Sequence, residues 1–265
     1  GIVVAILFGK EVFGGFGKNV FNPAIVGRAF VFVCFPVELT ARFIPVFSGF
    51  PGGFSHWSLS GLEQTPIFLQ EAGLSVIDAI TAATPLWANR DYGFSTPVIS
   101  LFLGNIGTIF EHEGQKMVLA AGSTGEVSSA MILLSGIYLL ATKTANWRLT
   151  ITTLMGAAFS AAIFRYAFGF PSVPAVPFTL FSGALFYAAV FMVTDPVSAP
   201  KVVLSQWIYG AFIGVMVVVF RFKGIFAEGV AFSILLGNML APSFDLWIKR
   251  IKNIKREPVL DNKTT

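Results

Sequence analysis

The amino-acid sequence predicts an all-α, polytopic membrane fold, and two observations lead there. The 265 residues are 55% hydrophobic and 12% charged, about half the charged share of an ordinary soluble domain. The apolar residues also come in long runs separated by short polar turns. A water-soluble fold of this size cannot cover so much apolar surface, because exposed apolar patches are normally small. In a bilayer the same surface meets an apolar solvent, and helices satisfy their own backbone groups. The 29 phenylalanines suit helices that face lipid.

A span needs about 20 mainly apolar residues. In the second half of the chain, 128–142, 149–164, 178–194, 202–220 and 225–248 read as successive crossings joined by short loops. In the first half, 24–37 reads as a span. Residues 40–91 are too polar and too rich in Pro and Gly to cross lipid, and read as an external lobe. Residues 98–109 are apolar but too short to cross, which suggests a re-entrant half-helix. The whole chain, 1–265, reads as one transmembrane domain. It opens inside an apolar run without Met, as the C-terminal portion of a longer polypeptide would.

Orientation follows from the tail, 249–265, where Lys249, Arg250, Lys252, Lys255 and Arg256 follow an apolar helix. The positive-inside rule makes this end cytoplasmic. Counting back puts loops 143–148 and 197–201 on the same side, and the 40–91 lobe outside. Loop 221–223, which carries Arg221 and Lys223, falls outside against the rule. No aromatic residues interleave with the tail cations, so nucleic acid is not expected as a partner. Cys34 is the single cysteine and forms no disulfide within the chain. Its apolar surroundings suggest a small buried hydrophobe. One Cys and two separated histidines, His56 and His112, do not make a metal site.

Five segments interrupt the apolar pattern. The run from Gly9 to Phe30 reads GKEVFGGFGKNVFNPAIVGRAF. Its glycines let the backbone break, and the amides of Asn19 and Asn22 can bond a planar heterocycle such as a flavin. A helix kink with satisfied Asn side chains is the plainer reading. Asp78 to Thr84 reads Asp-Ala-Ile-Thr-Ala-Ala-Thr, by composition a small-residue turn. Gly122-Ser-Thr-Gly-Glu126 places Glu126 at a helix start, where it either meets the helix dipole or serves an ion or cofactor. Asp195 lies in Thr-Asp-Pro-Val-Ser-Ala and Asp245 follows Ala-Pro-Ser-Phe. Ionisable groups near a membrane are functional candidates. The plainer readings are a helix-end residue for Asp195 and an i, i+4 partner of Lys249 for Asp245. Asn19-x-x-x-Pro23 and Asn238-x-x-x-Pro242 hint at an internal repeat, as in transporters with broken helices.

These segments resemble the B subunit of the Na⁺-translocating NADH:quinone oxidoreductase, chiefly through Gly-Lys-Asn-Val-Phe-Asn-Pro-Ala, Gly-Arg-Ala-Phe and Thr-Asp-Pro-Val-Ser-Ala. The resemblance implies a urea-transporter-like inverted repeat with broken, re-entrant helices. It implies riboflavin contacts for Asn19 and Asn22. The Asp78–Thr84 run is similar to the flavinylation motif, in which a flavin transferase esterifies FMN phosphate onto a threonine. Thr84 would be the acceptor, Thr81 its alternative and Asp78 part of the recognition run. Ala82 departs from the usual Gly and Val127 from the usual Thr, and residues 108–121 are longer than the family pattern, as an insertion would be. The carboxylates of Glu126, Asp195 and Asp245 would be linked to Na⁺ uptake.

The role implied is an electron relay from covalent FMN through riboflavin toward ubiquinone. It would be coupled to Na⁺ movement in a bacterial inner membrane, within a complex of several subunits. No catalytic side chain is expected, since the flavins carry the redox chemistry. Two alternatives stand beside it: the D subunit of the Rnf ferredoxin:NAD⁺ oxidoreductase, and a flavin-free solute channel on the same fold.

Overall fold

A computed structural model describes residues 1–35, 84–106, 109–119, 127–224 and 229–254. Helices are α1 (Ile2–Gly9), α2 (Pro23–Cys34), α3 (Pro85–Tyr92), α4 (Val98–Leu103), α5 (Ser129–Ala141), α6 (Trp147–Ala162), α7 (Val176–Phe181), α8 (Leu185–Tyr187), α9 (Val203–Lys223) and α10 (Val230–Ile254). A two-stranded antiparallel hairpin, β1 (Ile109–His112) and β2 (Gln115–Val118), stands between α4 and α5.

Local chemistry explains several helix starts. Four are capped by the residue types that leave a side-chain oxygen for orphan N–H groups. Asn22 Oδ1 accepts from Ala24 N at 3.0 Å, Thr84 Oγ1 from Trp87 N at 3.4 Å, Ser128 Oγ from Met131 N at 3.5 Å, and Asn146 Oδ1 from Arg148 N at 3.1 Å. Pro23 and Pro85 occupy the first helical position, where a missing N–H costs nothing.

Among the described residues, three helical stretches are long and apolar enough to cross a membrane: Trp147–Ala167, Val203–Lys223 and Val230–Lys252. The first is α6 extended by a π-helical turn, Ile163–Ala167. Pro23–Cys34 and Ser129–Ala141 are shorter apolar helices. The tightest contact joins α6 to α9. Gly210 and Gly214 lie four residues apart on α9. An added Cβ at Gly210 would collide with Thr152, and one at Gly214 with the backbone of Thr153 and Ala157. Gly156 on α6 in turn admits Ala211 of α9. Small residues at such spacing let helices approach closely where lipid gives no hydrophobic drive. One buried core includes Ile25 and Ala29 of α2, Leu149 and Ala157 of α6, Tyr209 and Ile213 of α9, and Ile234 and Ala241 of α10.

Several expectations are corrected. The fold is mainly helical and membrane-spanning, but residues 109–118 form the hairpin. Glu113 (φ 51°) and Gly114 (φ 78°) make its turn, the left-handed pair that suits a two-residue hairpin. Phe110 faces Met117, and Glu111 faces Lys116. The span expected over 178–194 is broken. α7 stops at Phe181, Gly183 takes φ 61°, and α8 passes into a π-helical turn, Ala188–Met192. The fully buried Arg221 fills the break, donating from Nη1 to Thr179 O at 2.8 Å and from Nη2 to Ser182 O at 3.0 Å. Within the apolar 98–109 stretch, the described residues are helical only over Val98–Leu103. Asn19-x-x-x-Pro23 ends in a helix start, whereas Pro242 lies inside α10. The two motifs therefore occupy different structural positions, and their match does not carry a repeat. Cys34 is exposed at the end of α2 rather than buried.

Candidate functional site

The bundle has two ends, and the candidate residues divide between them. α9 runs 21 residues, about 30 Å at 1.5 Å per residue. Thr84 belongs to the end where α9 finishes. Arg90 of α3 pairs with Asp91 at 2.8 Å and reaches Gly224 O, the α9 C-cap, at 3.4 Å. Leu86 and Ala88 pack with Leu101, Ile106, Phe110, Leu119 and Phe178, so α3, α4, α7 and the hairpin share a second core there. Aromatic rings tie α3 to the hairpin: Tyr92 meets His112 at 4.9 Å and Phe110 at 5.9 Å between centroids. Thr84 is half-buried at the N-terminus of α3.

The opposite end holds a cavity of ≈ 490 Å³. The loop between α1 and α2 supplies Lys10, Phe16, Asn19 and Asn22. The end of α5 and its following loop supply Leu139, Thr144 and Ala145. The segment after the π-helical turn supplies Thr194, Asp195 and Val197. Asn22 fastens two of these walls, since its Nδ2 donates to Met192 O at 3.2 Å while its Oδ1 caps α2. Asn19 Nδ2 donates to Phe21 O at 3.0 Å. Both amides are nearly buried. Each still has an N–H and lone-pair capacity left, because an amide offers two donors and two acceptor sites. Asn22 is thus a structural cap as well as a cavity residue.

Asp195 turns the chain after α8. Its Oδ1 accepts from Val197 N at 3.1 Å and its Oδ2 from Ser198 Oγ at 2.6 Å. Asp245 does something the sequence did not suggest. From α10 it accepts Lys201 N on Oδ2 at 2.8 Å and Val202 N on Oδ1 at 3.1 Å. α9 has no capping side chain of its own, so Asp245 caps it across the bundle. The expected pairing with Lys249 is replaced by this contact. Asp195 lines the cavity with Asn19 and Asn22, whereas Asp245 serves the neighbouring helix end. Asp78, Thr81 and Glu126 lie outside the described residues, as do most of the 40–91 lobe and the tail from 255. Sequence reasoning missed the wall formed by Leu139, Thr144 and Ala145. A Thr-Lys-Thr-Ala-Asn turn closing an apolar helix was the available signal.

The family described as NQR2, RnfD, RnfE matches residues 1–253. The chain belongs to this family. A relative from Shewanella amazonensis, the D subunit of an ion-translocating oxidoreductase complex, is 34% identical over 94% of this chain and 68% of its own length. The B subunit of the Na⁺-translocating NADH-quinone reductase of Pseudomonas aeruginosa (strain LESB58) is 33% identical, and that of Azotobacter vinelandii 34%. Each match covers 97% of this chain and 55% of the relative. The chain thus spans about half the length of these two reductase relatives. The match to the NQR2, RnfD, RnfE family embraces both ends of the bundle, including Asn19, Asn22, Thr84, Asp195 and Asp245.

Proposed function

We propose that this multi-pass membrane protein is the B-type subunit of a Na⁺-translocating NADH:quinone reductase. It would carry FMN on Thr84 and riboflavin at Asn19 and Asn22, and relay electrons between them toward ubiquinone, coupled to Na⁺ movement. The observation that carries this reading is the ≈ 490 Å³ cavity, where Asn19 and Asn22 meet Asp195 from a distant part of the chain. Its volume is in the range of small-molecule sites. Residual amide donors and acceptors on both Asn suit the polar edge of a flavin ring. Thr84 is half-buried at a helix N-terminus, where a phosphoester anion is favoured by the helix dipole. Flavins held there would supply the redox chemistry, while the chain binds and orients them.

The rest of the proposal concerns setting. Asp195, with Glu126 and Asp245, forms the candidate ion pathway. The partners are the other subunits of the complex, the bilayer of a bacterial inner membrane, and a flavin transferase for maturation. The 40–91 lobe lies outside and the 249–265 tail in the cytoplasm. The inverted-repeat architecture belongs to this proposal too, supported by the two interrupted segments at 10–22 and 182–184. A second reading, the D-type component of an Rnf-type complex, is favoured by the fuller coverage of the Shewanella relative. Reductant separates the two, NADH with quinone against reduced ferredoxin with NAD⁺.

The test is flavin content of the purified complex. Denatured wild-type chain should fluoresce in gel, the Thr84→Ala variant should not, and extractable flavin should fall in an Asn19→Leu/Asn22→Leu variant. A chain with neither flavin is a solute channel on this fold.

A further inference from the structure

A second cavity, ≈ 460 Å³, opens at the same end of the bundle between the α5–α6 loop and the start of α9. Thr144, Thr194 and Asp195 line both cavities, whereas Lys143, Lys201, Asn146 and Gln206 have no part in the flavin reading. Lys143 and Lys201 flank it, and Asn146, Trp147 and Gln206 add to the polar lining.

The two halves of this cavity have opposite chemistry. The mouth is cationic. Lys143 and Lys201 are exposed and reach it from separate loops, and the N-terminus of the 16-residue α6 lies beside them. Lys201 Nζ donates to Pro196 O, and an ammonium keeps two further donors. The inner wall is rich in acceptors. Gln206 is 8% exposed. Its Nε2 donates to Pro200 O at 3.1 Å, and its Oε1 is buried without a partner. A buried acceptor left without a donor is costly, and a ligand N–H would relieve it. The Asp195 carboxylate adds negative charge on the same wall.

The surroundings of the mouth are apolar and aromatic. Trp147 and Trp207 meet edge to face at 6.0 Å. Ile151, Leu204 and both tryptophans are exposed. Tryptophan at the end of membrane helices marks the headgroup level, so acyl chains have an apolar path directly beside the polar cavity.

We propose that this cavity binds the headgroup of an aminophospholipid of the phosphatidylethanolamine type. The phosphodiester lies between Lys143 and Lys201. The primary ammonium points at Gln206 Oε1 and Asp195, and the acyl chains run along Ile151, Leu204 and Trp207. Phosphatidylglycerol satisfies the lysines but brings no cation to Asp195. Phosphatidylcholine has no N–H for Gln206. A soluble phosphoethanolamine ester shares the headgroup chemistry and lacks the chains.

The purified complex is placed in nanodiscs of phosphatidylethanolamine, phosphatidylglycerol or phosphatidylcholine. Lipid retained after transfer to detergent is counted by native mass spectrometry, with no flavin readout involved. Wild type should retain phosphatidylethanolamine over the other two. Lys143→Ala/Lys201→Ala should lower that retention by about tenfold, the loss expected for charge-assisted contacts, while Lys143→Arg/Lys201→Arg retains it. Gln206→Leu should erase the preference for phosphatidylethanolamine over phosphatidylcholine, and Gln206→Glu should keep it. Equal retention of the three lipids by wild type overturns the proposal whatever the variants do. Retention unchanged in the double Ala variant also overturns it. Glycerophosphoethanolamine displacing the lipid at equal concentration assigns the cavity to a soluble ligand and overturns the lipid assignment.

Discussion

Replacing Asp245 with Ala removes the cap that α10 provides to α9. Two backbone N–H groups, on Lys201 and Val202, lose their acceptor. A hydrogen bond to a charged group contributes about 1.5–3 kcal/mol when shielded. Asp245 is half-buried, so water replaces part of the loss, and helix caps removed by Ala cost about 0.5–2 kcal/mol. About 2 kcal/mol is a reasonable total for the pair. For a chain of this size each kcal/mol moves the midpoint by about 2–4 °C, giving a fall of about 6 °C. Thermal unfolding in nanodiscs, followed by tryptophan emission, reads it directly. Asp245→Asn keeps one neutral acceptor and should show roughly half the shift. Lys249→Ala should leave the midpoint in place, and the Asp245/Lys249 double-mutant cycle should show no coupling. A Lys249→Ala shift as large as that of Asp245→Ala would restore the i, i+4 ion pair and refute the cross-bundle cap.

Gly214→Leu places a large side chain against the α6 backbone and should destabilise by about 1–3 kcal/mol or more, visible as lost monodisperse yield, whereas Gly169→Ala, in an open turn at φ 65°, should cost only the backbone strain of about 1–2 kcal/mol. Asn22→Leu removes bonds to Ala24 N and Met192 O and should cost about 1–3 kcal/mol, measured as a lower midpoint together with less extractable flavin. Thr84→Ser should retain covalent fluorescence that Thr84→Ala lacks; full labelling of the Ala variant moves the acceptor to Thr81. A Ser58→Cys probe in a Cys34→Ala background should react with impermeant reagent from outside, and labelling only after membrane disruption would invert the proposed topology.

The membrane class was legible because it rests on composition and run length, which local burial does not alter. The three long crossings were likewise visible, with ends shifted by a few residues. The α7–α8 break was not, because Phe181-Ser-Gly-Ala184 lies in apolar sequence and is held open by Arg221, some forty residues later. The hairpin escaped because residues 108–121 read only as extra length. Its mirrored order, Ile-Phe-Glu-His before and Gln-Lys-Met-Val after Glu113-Gly114, was readable as two short strands about a Gly-containing turn. Among site residues, Asn22 was picked out for its amide, and its capping role follows from the Pro after it. The roles of Asp195 and Asp245 differ for a tertiary reason. Each carboxylate accepts from nearby donors, and those belong to a local turn for Asp195, Val197 N and Ser198 Oγ, but to the start of another helix for Asp245.

The interrupted segment from α7 to Asp195 also relates the two ends of the bundle. At one end, Gly183 lies beneath Leu86 of α3, two residues from Thr84, and against the Arg221 guanidinium. At the other, Met192 O is bonded to Asn22 and Asp195 closes the cavity. Between them the chain is neither a straight helix nor a loop. It passes through a left-handed glycine and a π-helical turn, a form often found at functional sites. A continuous helix would hold both ends rigidly. This segment has two points where the backbone departs from α geometry, each tied to a candidate cofactor end by a specific contact. Met192, bonded to Asn22, and Gly183, beneath α3, thus belong to one continuous segment. This segment is the covalent path that touches both candidate ends of the bundle.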